Sequence, residues 1–205
     1  KGPPMFDSAL RRLIDPPLNR AGRALAVRGV GADRVTLIGL GFGLLAALVI
    51  ATGLPTALAL LPLMAGRIAD GLDGAIARAT AKTDFGGYLD IACDFAFYGA
   101  IPLAFALRAP EAALPAAFLL FSFYVNAASF LGFASIAARR GMETRAQGEK
   151  SLYYAAGLLE GGETIAFFVA LCLWPGLFAP LAWGFGVLCL ITAGARILGA
   201  RRLFR

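Results

Sequence analysis

A chain of 205 residues with 59% hydrophobic and only 16% charged side chains, at a mean hydropathy of +0.74, lies outside the composition of water-soluble domains. Its net charge of +6 comes from cations flanking apolar stretches, which makes anionic lipid headgroups and phosphorylated substrates nearer partners than nucleic acid. The absence of histidine excludes Ser-His and Cys-His triads, two-His zinc motifs and any histidine general base.

The first stretch, about residues 5–30, repeats Phe6, Leu10, Leu13, Ile14, Leu18, Ala21 and Leu25 at helical spacing among arginines. That is the pattern of an amphipathic helix lying in the membrane interface. Pro16 and Pro17 are expected to kink or split it. It reads either as a collar beside a site or as a topogenic anchor, and it lacks the pattern of a cleavable signal peptide.

Apolar stretches of roughly 20 residues, each long enough to span a bilayer, follow at 35–52, 55–78, 86–107, 112–138, 151–173 and 177–198. The expected fold is all-α: one membrane-embedded domain over 1–205, with six transmembrane helices behind the interfacial one. With the N-terminus inside, every Lys and Arg except Arg67 and Arg108 falls on the cytoplasmic side, so both termini are expected there. Gly39 and Gly43 in the first span, and Gly157 and Gly161 in the fifth, have the spacing of close helix approach, either within the bundle or in a dimer. Cys93, Cys172 and Cys189 are isolated in apolar sequence and read as small buried hydrophobes.

The second and third spans carry the anomaly. Each aspartate near the middle of a membrane helix costs roughly 2.5 to 3.5 kcal/mol, and Asp70, Asp73, Asp90 and Asp94 all lie there. They require a partner, and a divalent cation is the obvious one. Spacings of three and four residues put each pair on one face of its helix. A short link at 81–84 makes the two helices antiparallel neighbours, with Asp70 and Asp94 each roughly 12 Å below the cytoplasmic surface. Hard oxygen donors suit Mg²⁺ or Mn²⁺, and a pair of such ions is the clamp used in phosphoryl transfer. Gly74 and Gly86 leave the backbone open to a bulky ligand such as a nucleotide, and Arg78 can reach a phosphate. A divalent-cation transporter or channel would also line a bundle with carboxylates, but it needs neither the glycines nor the arginine.

Arg139, Arg140, Arg145 and Lys150 cluster in one loop, and Arg196 approaches the same side. They serve either an acceptor phosphate, as in glycerol 3-phosphate or inositol phosphate, or topology and lipid headgroups. Glu160 and Glu163 share a face of the fifth span at the depth of Arg67. An Arg67 to Glu160 ion pair is one reading; an acceptor pocket for an amine or polyol is the other.

Asp70, Gly71, Leu72, Asp73, Gly74, Ala75, Ile76, Ala77 and Arg78, followed by Gly86, Asp90 and Asp94, resemble the signature of the CDP-alcohol phosphatidyltransferases, with every fixed position present. The resemblance implies integral membrane enzymes, usually homodimers, in which an alcohol displaces CMP from a CDP-linked donor, commonly CDP-diacylglycerol. Asp70, Asp73 and Asp90 would then ligate metal, with Asp94 at the metal site as general base. Gly74, Ala77, Arg78 and Gly86 would contact the cytidine nucleotide. The run from Ala32 to Thr36 looks like the family's entry to the first helix, with Asp33 in place of the usual Asn and Thr36 as a further nucleotide contact. Gly148, Lys150 and Ser151 resemble the start of the fifth helix in phosphatidylglycerophosphate synthases.

Overall fold

The computed structural model describes residues 6–141 and 161–204, and every regular element among them is helical. Seven helices follow in order: α1 (Phe6–Val27), α2 (Ala32–Ala51), α3 (Leu60–Ala79), α4 (Asp84–Arg108), α5 (Ala113–Arg139), α6 (Gly161–Leu173) and α7 (Phe178–Leu203). By length and composition four of these, α2, α4, α5 and α7, can cross a membrane. α3 matches α2 at 20 residues but carries Arg67, Asp70, Asp73 and Arg78, which remove it from that apolar set. Its start also differs from expectation, because Pro55 leads into a short 3₁₀ turn, Thr56–Ala59, before α3 begins at Leu60. Of the fifth expected span, the 13 residues of α6 are described.

The chain divides into two compact units, Lys1–Ala104 and Phe105–Arg205. In the first unit α1 runs unbroken through Pro16 and Pro17, so the expected split does not occur. Each proline forfeits one helical N–H bond, but its fixed φ is close to the helical value, and both sit on the exposed side of the helix. α1 ends in a Schellman motif. Gly29 takes φ +78°, its N–H donates to the Ala26 carbonyl at 2.9 Å, and the Val30 N–H donates to the Leu25 carbonyl at 3.1 Å. The hydrophobic contact that accompanies such a cap is present, since Leu25 and Val30 both pack on the cluster of Val35, Ala69 and Ile76.

α2 and α3 cross at glycines. A Cβ on Gly66 would lie 3.0 Å from the Gly39 carbonyl oxygen, and one on Gly39 would lie 3.3 Å from Ala69 Cβ. Gly43 faces the ring of Phe97 on α4. The Gly39 and Gly43 pair is therefore used for packing within this unit. The opposite face of α2 exposes Leu37, Leu44, Leu45 and Leu48, an apolar surface suited to lipid.

In the second unit α5 packs along α7. Gly186 admits the Phe118 ring, whose centroid lies 4.3 Å from that of Trp183, and Phe167 stacks on Phe185 at 4.1 Å. The three cysteines are free and buried, as their apolar surroundings led one to expect.

Candidate active site

α3 and α4 carry the four aspartates, and helical periodicity turns each pair to one face. One carboxylate oxygen from each of Asp70, Asp90 and Asp94 lies within 4.8 Å of the others. Three hard oxygens at that spacing, with no nitrogen or sulfur donor among them, fit an ion of the Mg²⁺ or Mn²⁺ class. Asp73, the most buried of the four at 6% exposure, stands apart from this trio. Its Oδ2 accepts a 2.6 Å hydrogen bond from the Thr36 hydroxyl of α2, a short charge-assisted contact. Thr36, the expected nucleotide contact on α2, is buried as this partner of Asp73.

Glu160, the partner expected for Arg67, lies outside the described residues. Among those described, the Arg67 guanidinium engages two of the aspartates. Its Nη1 donates to Asp94 Oδ1 at 3.1 Å and lies 3.6 Å from Asp70 Oδ2. The group sits 4.5 Å over the Phe97 ring, whose place depends on the bare backbone of Gly43: a Cβ there would come 2.6 Å from Phe97 Cδ2. Arg67 and Asp70 are spaced as i and i+3, so this half of the contact was available to a reading of the sequence. The Asp94 half depends on how α3 and α4 pair.

Of the residues expected around a nucleotide, Gly74, Ala77 and Arg78 lie near the C-terminus of α3 and Gly86 near the N-terminus of α4. Thr83 caps α4, its Oγ1 accepting the Gly86 N–H at 3.0 Å. A Cβ on Gly86 would meet Thr83 Oγ1 at 2.9 Å and Asp33 Oδ1 at 3.1 Å, so the Asp33 carboxylate borders this glycine. Ala77 is half-buried, and Arg78 Nη1 lies 3.2 Å from where a Gly74 Cβ would stand. Arg78 also donates to Asn19 of α1, from Nε at 3.3 Å and Nη2 at 3.0 Å. Neither Asn19 nor the Asp33 contact with Gly86 was marked in the sequence, because each joins residues far apart along the chain.

Of the expected acceptor residues, Arg145 and Lys150 lie outside the described residues, as do Gly148, Ser151 and Gly157. Arg139 is exposed. Arg140 Nη2 donates to the Phe204 carbonyl at 2.8 Å. Arg196 is buried against α5, its Nη1 donating to Ser129 Oγ at 2.6 Å, Asn126 Oδ1 at 3.0 Å and the Asn126 carbonyl at 3.2 Å. Its Nε is buried without a hydrogen-bond partner among the described residues. Glu163 is half-buried on α6.

A sequence model of the CDP-alcohol phosphatidyltransferase family matches residues 30–196, and the chain belongs to that family of enzymes. Over 194 residues it is 44% identical to the inner membrane protein YnjF of Escherichia coli (strain K12), covering 94% of each chain. Over 88 residues it is 40% identical to the archaetidylinositol phosphate synthase of Pyrococcus horikoshii, covering 42% of this chain and 46% of that one. The fold is similar to that of the Mycobacterium tuberculosis phosphatidylinositol phosphate synthase solved with CDP-DAG bound. The TM-score is 0.64 at 22% identity, over 89% of this chain and 92% of the other. Family membership favours a transferase over the cation-transporter reading.

Proposed function

We propose that this enzyme transfers a phosphatidyl group from CDP-diacylglycerol to an alcohol, releasing CMP, as a step of phospholipid synthesis. The observation that carries the reading is the convergence of Asp70, Asp90 and Asp94 oxygens within 4.8 Å, on the two helices that also carry the signature glycines. Asp70, Asp73, Asp90 and Asp94 would hold Mg²⁺ or Mn²⁺, as two ions. When bound, the ions would neutralise the pyrophosphate and stabilise the departing CMP phosphate.

The chain's own residues do the rest. Thr36, Gly74, Ala77, Arg78 and Gly86 form the nucleotide site, with Arg78 supplying charge to a phosphate. Asp94 takes the acceptor proton as the hydroxyl oxygen attacks the lipid-side phosphorus. A carboxylate suffices because the proton leaves late, as the new bond forms. Arg67 donates to Asp94 Oδ1. The acceptor is an alcohol bearing a phosphate, glycerol 3-phosphate or inositol phosphate, contacted by Arg139, Arg140, Lys150 and Arg196.

The protein acts as a homodimer in the inner membrane, one membrane-embedded domain per chain. It has six spans behind an interfacial α1, with both termini and the active site cytoplasmic. The inner membrane relative and the apolar helices support this placement. An acceptor screen tests the function: purified protein, radiolabelled CDP-diacylglycerol and Mn²⁺, with glycerol 3-phosphate, inositol phosphate, inositol, serine, choline and lipid alcohols supplied separately. One phosphorylated acceptor should accelerate CMP release, and Asp94→Asn should abolish it. Donor left intact with every acceptor would overturn the proposal.

A further inference from the structure

We infer that α1 is part of the donor site, and that Asn19 is the positioning residue for Arg78. This rests on the reading of Arg78 as a nucleotide contact, and it reaches outside the family match, which begins at residue 30.

Three contacts carry it. Leu18, Asn19 and Gly22 on α1 meet Gly71, Arg78 and Ala75 on α3 respectively, and 71, 75 and 78 recur as one stripe of a helix. At two of these contacts the helices leave no room for a methyl without a shift. A Cβ on Gly22 would lie 2.6 Å from Ala75 Cβ and 2.9 Å from its carbonyl carbon, and one on Gly71 would lie 2.8 Å from Leu18 Cδ1. α1 is therefore held in register against the signature helix. A helix that served only to anchor the chain needs no such glycines.

The register delivers Asn19 Oδ1 to the Nε and Nη2 edge of Arg78. A guanidinium is a planar fork, so occupying that edge orients the rest of the group. Nη1 is the nitrogen left over, and it is the one that stands beside Gly74. A long, exposed side chain that would otherwise sample many rotamers is held with one donor aimed at the backbone a nucleotide would approach. Asn19 supplies a neutral acceptor, which orients the arginine while leaving its charge for a phosphate. The cost of ordering Arg78 is met before the donor arrives, which is how preorganisation raises affinity.

The test is steady-state kinetics of CMP release by the full chain in detergent, with CDP-diacylglycerol varied at saturating acceptor, together with equilibrium binding of CDP. Asn19→Ala should raise the donor KM and the CDP Kd by about fivefold to tenfold, the range for loss of a solvent-exposed hydrogen bond. The kcat, the acceptor KM and the thermal midpoint should stay near the parent values. Asn19→Asp, which keeps the acceptor oxygen but adds a negative charge beside the guanidinium, should leave donor binding weakened, because that charge offsets the one Arg78 offers a phosphate. In an Arg78→Ala background, Asn19→Ala should add nothing, because its effect passes through the arginine. If Arg78→Ala weakens donor binding but Asn19→Ala does not, or if the two effects add independently, the inference fails while the nucleotide role of Arg78 stands. If Arg78→Ala leaves donor binding unchanged, that role fails, and the inference with it.

Discussion

Replacing Arg67 by glutamine removes a full positive charge from among three clustered carboxylates while keeping most of the side chain's length. Arg67 Nη1 stands 3.1 Å from Asp94 Oδ1 and 3.6 Å from Asp70 Oδ2. At the effective dielectric of a partly exposed site, unit charges at those separations attract by roughly 5 kcal/mol each before desolvation is counted. The side chains of Arg67, Asp70 and Asp94 keep 15%, 37% and 32% exposure, so solvent screening removes much of that. A net loss of about 2 to 3 kcal/mol is expected, the range for breaking a hydrogen bond to a charged group. In detergent with EDTA this corresponds to a thermal midpoint lowered by about 5 to 10 °C.

Addition of Mn²⁺ reverses the order of the two proteins' responses. In the parent, Arg67 already neutralises part of the aspartate charge and repels a second cation from it. In Arg67→Gln the carboxylates lose this competing partner, so half-saturation should require at least about tenfold less Mn²⁺, a difference of 1.4 kcal/mol. The Mn²⁺-induced rise in midpoint should also be larger. Fluorescence-detected unfolding across a Mn²⁺ titration measures both quantities. Equal midpoints in EDTA, or the same Mn²⁺ dependence in both proteins, would refute the argument that arginine and metal share these oxygens.

Thr36→Val keeps the shape of the side chain but takes the 2.6 Å hydrogen bond from buried Asp73, at an expected cost of about 1.5 to 3 kcal/mol in unfolding free energy; Thr36→Ser should recover most of it. Gly43→Ala places a methyl 2.6 Å from Phe97 Cδ2, and should cost about 1 to 3 kcal/mol and lower kcat by displacing the ring beneath Arg67. A variant as stable and active as the parent would show that Phe97 gives way freely. Arg140→Ala and Lys150→Ala should each raise the acceptor KM far more than the donor KM, and equal effects on both would remove their acceptor role. Chelation with EDTA should stop CMP release, and excess Mn²⁺ should restore it; release persisting in EDTA would exclude a metal-dependent reaction.

Short-range periodicity explains how much of the site could be read in advance. Asp70 with Asp73, and Asp90 with Asp94, share faces because a helix repeats every 3.6 residues, and a link of a few residues makes their helices neighbours. Apolar content likewise marked α2, α4, α5 and α7. The same periodicity marked α1, which runs on as helix through its two consecutive prolines. It also drew α3 as an apolar span from 55, whereas the helix begins at Leu60 and is polar on its working face.

The carboxylate pairs, the hard-donor chemistry and the membrane character are all properties of residue type and local spacing, and they stand in the chain before it folds. The partners of those groups do not. Arg67 with Asp94 spans 27 positions, Thr36 with Asp73 spans 37, and Asn19 with Arg78 spans 59. Such pairs exist because glycines at 22, 39, 43 and 66 let helix backbones and rings approach to contact distance. Helical period assigns a residue to a face, but which face meets which, and at what height, is set by close packing between helices.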